Sequence, residues 1–444
     1  MYSQRLTEPQ LRNAPFAFFL LCLYTASVLI RPHEFSIETS QMQFTRYFAI
    51  ASFLALFLTL RPIRFTPQLI MLLILTPLIM ISAYLNGWGT AGLIQSERLF
   101  VNSIIPFFLF SSLIATPGRQ RTIMYLSLLA ALIMVVNGHV QQASFDGQFG
   151  YGVGDSKTVN GEEMRITYLG FFSDPNDLGM FLTMNIPFAV YFSARSSKLL
   201  KIGFAAIVPV LVYGIYMTRS RGTLLAGLGI AAAYFLISRA STKLIITLAV
   251  AAPFVATLLS SYGGLTAADA SVDGRLEAWY AGIHMLANNP VFGIGMGNFV
   301  EEHVRVAHNS YIHVAAELGV PGYSLWGGVI VLNLLAAYRL VREYDRGNLD
   351  DGSVVITEGL AEELELNKTM LFSIIAFAIA AFFLSRQYVL TMFIFLGLQT
   401  ANLIRIENHI PEMSEHFSMK AIVKAMGIAW IIIIAVYLTL KLAL

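Results

Sequence analysis

Two arginines stand in Met217-Thr218-Arg219-Ser220-Arg221-Gly222-Thr223, a tight turn between apolar runs. An arginine fork matches the oxygens of a phosphate, a helix beginning after the turn adds its N-terminal partial positive charge, and Gly222 lets a backbone come close. The chemistry such a turn offers is anion binding; the alternative is an arginine pair reaching lipid headgroups. A second group follows downstream: Gly274-Arg275-Leu276-Glu277-Ala278-Trp279, then Asn289-Pro290-Val291-Phe292-Gly293-Ile294-Gly295-Met296-Gly297-Asn298-Phe299, then Ala307-His308-Asn309-Ser310-Tyr311-Ile312-His313, then Glu317-Leu318-Gly319. Its glycine run lacks the preceding strand and the spacing of a dinucleotide fingerprint and reads as a tight loop between two short helices. His308 and His313 are five apart, so they do not form a helical i, i+4 metal pair. His308 has two readings, a hydrogen-bonded structural histidine or a proton acceptor.

Upstream lie Glu162-Glu163-Met164-Arg165-Ile166-Thr167 and Phe172-Ser173-Asp174-Pro175-Asn176-Asp177-Leu178-Gly179. Asp174-Pro175-Asn176-Asp177 has the turn residues and capping carboxylates that open a helix, with divalent-metal binding as the other reading.

The elements that hold these residues follow from composition. Of 444 residues, 56% are hydrophobic and only 13% charged. Soluble globular chains carry about 25% charged residues, so this one cannot cover its surface in water. It reads as an all-α polytopic integral membrane protein. Net charge is +2, which excludes a surface built on global charge for nucleic acid. Cys22 is the only cysteine, so neither a disulfide framework nor a cysteine metal site is available.

A helix needs about 20 mostly apolar residues to cross a bilayer. Runs of this kind occur at 14 to 30, 46 to 60, 68 to 85, 99 to 115, 122 to 139, 177 to 194, 202 to 217, 223 to 238, 244 to 260, 321 to 340, 369 to 385, 388 to 404 and 420 to 441, which predicts about 12 to 13 spans in a single membrane domain over 1–444. The last run is the weakest, because Lys424 and Lys441 lie in or near it. The first run lacks a small-residue cleavage site and is expected to remain as a helix. With the N-terminus cytoplasmic, Arg61 and Arg64; Arg119 and Arg121; Arg195, Lys198 and Lys201; Arg239 and Lys243; and Arg339, Arg342 and Arg346 all fall inside, as the excess of Lys and Arg in cytoplasmic loops requires. Segments 141–176 and 261–320 are then long outer loops. Arginines on that side are exceptions to the rule and call for function. The stretch 341–368, with Asp345, Asp350, Asp351, Glu358, Glu362, Glu363 and Glu365, reads as a solvated, partly helical cytoplasmic connector.

Taken in order, the Arg-Gly turn, Gly-Arg…Trp, Pro…Gly-x-Gly-x-Gly-Asn-Phe and His-Asn-Ser-Tyr…Glu-x-Gly resemble the O-antigen ligase and polymerase superfamily over roughly residues 160 to 340, with the Asp174 to Gly179 helix start similar as well. The resemblance implies a multi-helix glycosyltransferase of the GT-C type in the bacterial inner membrane, with a large helical periplasmic loop. It implies a donor glycan on undecaprenyl diphosphate and an acceptor that is a glycan or lipid A-core, for lipopolysaccharide or exopolysaccharide synthesis. No nucleotide sugar, metal or other cofactor is implied, and no nucleic acid; membrane lipids are the surroundings. Carried over by position, Arg221, Arg275 and His308 are the catalytic set. Arg219 and Arg165 join Arg221 and Arg275 as diphosphate ligands, and Glu317, Asn309 and Tyr311 are supporting residues.

The chemistry agrees with those types. Diphosphate departure builds negative charge that fixed cations stabilise, and an acceptor hydroxyl must lose a proton. Neighbouring arginines push a histidine pKa down, which keeps the imidazole neutral and able to accept it. No carboxylate pair is spaced for a covalent intermediate, so one inverting displacement is expected. Glu317 or Glu277 is available to orient His308 or an arginine. Ligase, polymerase and protein O-oligosaccharyltransferase differ only in acceptor and stay open. A transporter of lipid-linked oligosaccharide or polysaccharide is the alternative outside the enzymes, but transport favours ionisable residues near mid-membrane.

Overall fold

The computed structural model describes residues 14–59, 63–143, 158–159, 163–239, 267–344 and 356–443. Among them the helices are α1 (Pro15–Leu29), α2 (Ile37–Ser40), α3 (Phe44–Thr59), α4 (Pro67–Leu85), α5 (Ala91–Leu99), α6 (Ile105–Leu113), α7 (Pro117–Ala143), α8 (Pro175–Arg195), α9 (Lys198–Met217), α10 (Arg221–Arg239), α11 (Ala267–Asn288), α12 (Phe299–Glu302), α13 (Ser310–Tyr344), α14 (Glu358–Phe383), α15 (Leu390–His409) and α16 (Met419–Ala443). Each apolar run of the sequence contains a helix, except 244 to 260, which lies outside the described residues. Among the described residues seven helical stretches are long and apolar enough to cross a membrane, and α1 and α3 are shorter apolar helices. The chain is an all-helical, multi-pass membrane protein, save for a two-residue hairpin of β1 (Thr158–Val159) and β2 (Glu163–Met164).

Local chemistry explains several boundaries. Thr66 caps α4 by accepting from Leu69 N–H at 3.2 Å, with Pro67 at the first helical position, where a missing N–H costs nothing. The expected run 99 to 115 begins earlier in space, because α5 passes through a π turn at Phe100–Ile104 into α6. Pro106 just beyond has no N–H to continue the ladder, and a wide turn absorbs the mismatch.

Depth in the bundle sorts the helices by polarity. In α14, 78% of the most apolar stretch is buried by protein, against 17% in α9 and 22% in α16, so the last two turn Leu199, Ile202, Ile434 and Leu438 outward. Large exposed apolar side chains on a polytopic chain face lipid. The central α13, α14 and α15 instead carry amides that pair with one another. Gln399 Nε2 donates to Asn367 Oδ1 at 2.8 Å, Asn367 Nδ2 donates to the Ala337 carbonyl at 3.0 Å, and the Thr400 hydroxyl donates to Asn333 Oδ1 at 3.1 Å. Such groups are tolerated at membrane depth because protein satisfies them.

One expectation is corrected. The stretch 341–368 is not a solvated connector throughout: α13 runs on to Tyr344 and α14 begins at Glu358, with Thr357 as its cap. Glu363 is 2% exposed and faces Arg405 of α15, with Arg405 Nε to Oε1 at 2.7 Å and Nη2 to Oε2 at 2.9 Å. The same guanidinium donates to the Ile114 carbonyl at 2.6 Å and to Gln120, and Asn402 Nδ2 donates to Glu363 Oε2 at 2.7 Å. A charge is tolerated out of water only when it is paired and hydrogen-bonded, and both conditions hold here. Glu362 pairs with Arg121 at 3.1 Å, and Glu365 with Arg195. Asp345, Asp350 and Asp351 lie outside the described residues.

These pairs define one end of the bundle. Arg121 in the first turns of α7 and Arg195 at the end of α8 meet the start of α14, and Arg64 meets Glu407 at the end of α15. Helices α8, α10 and α14 run between that end and the other, where Asp174, Arg221 and Phe383 stand. At 1.5 Å per residue, about 20 residues separate the two ends by roughly 30 Å, the thickness of a bilayer core.

Candidate functional site

The second end collects the residues singled out by type. Asp174 caps α8: its Oδ1 accepts from Asn176 N–H at 2.8 Å and from Asn176 Nδ2 at 2.9 Å. Of its two sequence readings, capping is the one the geometry fits. Its other oxygen and Asp177 meet Arg386, a residue the sequence reading passed over. Arg386 Nη2 contacts Asp174 Oδ2, and its Nε lies 2.5 Å from Asp177 Oδ1. Among the described residues, no group of three or more His, Cys, Asp or Glu is placed to hold a metal ion.

The Arg-Ser-Arg-Gly turn packs on this helix start. A Cβ at Gly179 would stand 2.6 Å from Thr223 Oγ1 and 2.9 Å from Thr218 Oγ1, so the turn needs a glycine on α8 beneath it. Gly222 serves packing too, since a Cβ there would stand 2.8 Å from Phe383 Cβ. Its missing side chain therefore admits the end of α14. Arg165 fixes the turn from outside. Its Nε donates to the Thr218 carbonyl at 2.7 Å, its Nη2 to Asn176 Oδ1 at 3.3 Å, and Ile166 N–H reaches the Met217 carbonyl at 3.3 Å. Burial, opposed by Asp174, holds its pKa below the ordinary arginine value. Arg219 lies over the Tyr216 ring at 4.6 Å and donates to its hydroxyl at 3.1 Å. Arg165 and Arg219, two of the four residues expected to hold the diphosphate, thus each contact protein as well. Arg221, the first residue of α10, is exposed.

Arg275 comes from α11 and is half-buried. One turn later, Trp279 Nε1 donates to the Ala307 carbonyl at 2.8 Å, which binds α11 to the residue preceding His308. Arg275 has its pKa lowered first by burial and then by the Arg221 guanidinium. His308 has its pKa lowered by burial, then by Arg275, Arg386 and Arg305, with Asp174 opposing. Arg221 thus acts on the Arg275 charge and Arg275 on that of His308. His308 adopts φ +48° and Arg219 φ +50°. Non-glycine residues in the left-handed region are costly and concentrate where surrounding structure holds them for use.

The other expected supports have structural work. Asn309 caps α13, its Oδ1 accepting from Tyr311 and Ile312 N–H at 3.0 and 3.1 Å. Tyr311 is 5% exposed, its hydroxyl donating to the Ala378 carbonyl at 2.8 Å. Glu317 does not meet His308. Its Oε1 lies 3.0 Å from His313 Nε2 and accepts from Gly297 N–H at 2.8 Å, so it shapes the glycine loop. That loop is as tight as its sequence predicts. Gly293, Gly295 and Gly297 all have positive φ, and Gly319 (φ +64°, ψ −167°) breaks α13 just before Pro321. The break frees carbonyls that the loop uses: Ile294 N–H reaches Ala316 O at 3.0 Å and Gly295 N–H reaches Glu317 O at 2.9 Å. Glu277 is exposed on α11.

A family profile described as O-antigen ligase matches residues 204–327, from α9 through the first turns of α13. The chain carries an O-antigen ligase domain. That domain marks a membrane glycosyltransferase of the O-antigen ligase or polymerase type. The O-antigen ligase segment takes in Arg219, Arg221, Arg275, His308, Asn309, Tyr311 and Glu317, and leaves out Arg165, Asp174 and Arg386, which the fold brings to the same end. No curated protein matches the chain.

Proposed function

We propose that this protein transfers a glycan from undecaprenyl diphosphate to an acceptor hydroxyl at the periplasmic face of the bacterial inner membrane. In this reading the Arg221 end of the bundle faces the periplasm, 141–176 and 261–320 are periplasmic loops, the latter catalytic, and 341–368 joins helices on the cytoplasmic side. The positive clusters at the opposite end support that orientation.

Arg221 and Arg275 hold the donor diphosphate, and their fixed charge offsets the negative charge that grows on it as the sugar leaves. The acceptor oxygen bonds to the anomeric carbon while the bond from that carbon to the phosphate oxygen breaks, its electron pair leaving with undecaprenyl diphosphate. The acceptor proton passes to the imidazole of His308. One displacement of this kind inverts the anomeric centre. No cofactor is called on. Arg165 and Arg219 set the shape of the Arg221 turn, and Asn309, Tyr311 and Glu317 set the frame of His308 and its loop.

The observation that carries the reading is that the segment matching the O-antigen ligase profile holds Arg221, Arg275 and His308, with Trp279 of the Arg275 helix bonded at 2.8 Å to the carbonyl of the residue before His308. Acceptor class separates the ligase, polymerase and protein-directed forms. Purified protein given undecaprenyl diphosphate-linked glycan and each acceptor in turn is expected to yield product with a lipid A-core or glycan acceptor. A ladder of products marks chain growth and a single band marks one capping transfer. Absence of transfer to every acceptor, with donor bound, contradicts the proposal.

A further inference from the structure

Arg386 sits in the link between α14 and α15, 212 residues from Asp174, yet it joins the starts of two helices. On one side it engages both carboxylates of the α8 opening, Asp174 and Asp177. On the other, its backbone N–H donates to the Ser310 hydroxyl at 2.8 Å, and that hydroxyl donates to the Leu384 carbonyl at 2.6 Å. Ser385 adds a contact to His313 at 3.1 Å. His308 lies two residues before Ser310, in a left-handed conformation that an isolated turn would relax. One guanidinium shared between two acids is held on two fronts and cannot swing away without stranding a half-buried carboxylate. A buried charge left without its partner is strongly destabilising.

We propose that Arg386 is a positioning residue of the transfer centre: clamped by Asp174 and Asp177 and bonded through its backbone to Ser310, it fixes the His308 turn against the start of α8 and keeps a permanent cation beside the imidazole. The charged groups facing His308 come from four places: Arg275 on α11, Arg305 in the segment before the turn, Arg386 in the α14–α15 link and Asp174 at the start of α8. Asp174 is the opposing charge in this set, and Arg386 is tied directly to it. The pair therefore sets the balance of the local potential, while Arg275 and Arg305 add to its positive side. The role of His308 as proton acceptor rests on the function proposed above; its titration does not, and can be read without any transfer.

The experiment is a pH titration of His308 in the full chain in nanodiscs, followed by NMR of 13C-labelled histidine, with the His308 signal assigned by its loss in His308→Gln. Arg386→Gln removes a cation and leaves the Asp174 carboxylate without its partner, so the His308 midpoint should rise by about one pH unit, a tenfold gain in proton affinity. Asp174→Asn keeps an oxygen able to cap α8 but removes a negative charge, and the midpoint should fall. Arg386→Lys keeps the charge and loses the fork, so the midpoint should stay near that of the unaltered chain while transfer slows at least tenfold. A purely structural Arg386 would not move the midpoint in opposite directions in Arg386→Gln and Asp174→Asn. If Arg386→Gln does not fold, Asp174→Asn and Arg386→Lys decide alone: an unmoved midpoint in the first, or full transfer rate in the second, overturns the proposal. Transfer surviving in His308→Ala would instead remove the base role and leave the titration result standing.

Discussion

Trp279 donates its indole N–H to the carbonyl of Ala307 at 2.8 Å, and this bond binds the helix bearing Arg275 to the residue before His308. The indole is 5% exposed and packs edge-on to Phe382 at 5.4 Å, so its direction is fixed from behind. Trp279→Phe keeps most of the packing and leaves the buried carbonyl unpaired, a loss of about 1–3 kcal/mol. Transfer rate should drop roughly tenfold with little change in the amount of folded protein. Initial rates on purified protein, normalised by size-exclusion yield, check this.

Glu317 shapes a loop and leaves His308 to other partners. Glutamine at this position still offers an acceptor to Gly297 N–H, so Glu317→Gln should retain most transfer and Glu317→Ala should lose much of it, with a lowered melting temperature in the alanine variant alone. Equal and complete loss in both, with unchanged melting, would show a chemical role for the carboxylate.

Gly319 turns the helix break through a conformation that side chains rarely adopt, and a Cβ there would stand 2.7 Å from the Val291 carbonyl carbon. Gly319→Ala should destabilise by about 1–3 kcal/mol from backbone strain, before any cost of the clash. Thermal unfolding in detergent reads the shift.

Removing one partner of the Glu363 and Arg405 pair strands a buried charge, at a cost of about 3–5 kcal/mol. Arg405→Met alone should therefore depress the melting temperature strongly, and Glu363→Leu added to it should recover a large part of the loss. A double variant no better than the single one would show that the Gln120 and Ile114 contacts of Arg405, and not the ion pair, carry the stability.

His308 has its pKa depressed below the ordinary histidine value by burial and the nearby arginines. The neutral imidazole is the reactive form, so transfer should be full above that pKa and fall away as pH drops through it, with the acidic limb below about 6.5. Profiles of kcat/KM against pH test the direction. Arg275→Gln removes one of the depressing charges and should move the limb to higher pH.

The parts of the site legible in the sequence were those whose partners lie close along the chain. Asp174-Pro175-Asn176-Asp177 announces a cap because its oxygen meets a backbone N–H two residues on. The glycine run announces a tight loop because positive φ at alternate positions needs glycine. Arg386 announces nothing: its two acids are more than 200 positions away, and a lone arginine between apolar runs looks like any loop charge. Glu363 failed for the same reason. It stands among Glu362 and Glu365, which read as solvent-facing, while its partner Arg405 waits beyond the next two apolar runs. Gly222 announces a close approach, but not that the end of α14 makes it. The helices themselves were legible because lipid demands long apolar runs; the π turn at Phe100–Ile104 was not, since it arises from a proline one turn later.

The central claim is that Arg221, Arg275 and His308 share one donor. A cryo-EM structure of the protein in nanodiscs with undecaprenyl diphosphate-linked glycan bound tests it most directly. The account predicts the diphosphate oxygens within about 4 Å of both guanidiniums, an ion-pair distance, with His308 beside the first sugar. Diphosphate density elsewhere, or Arg221 on a lipid headgroup while Arg275 faces solvent, would contradict it.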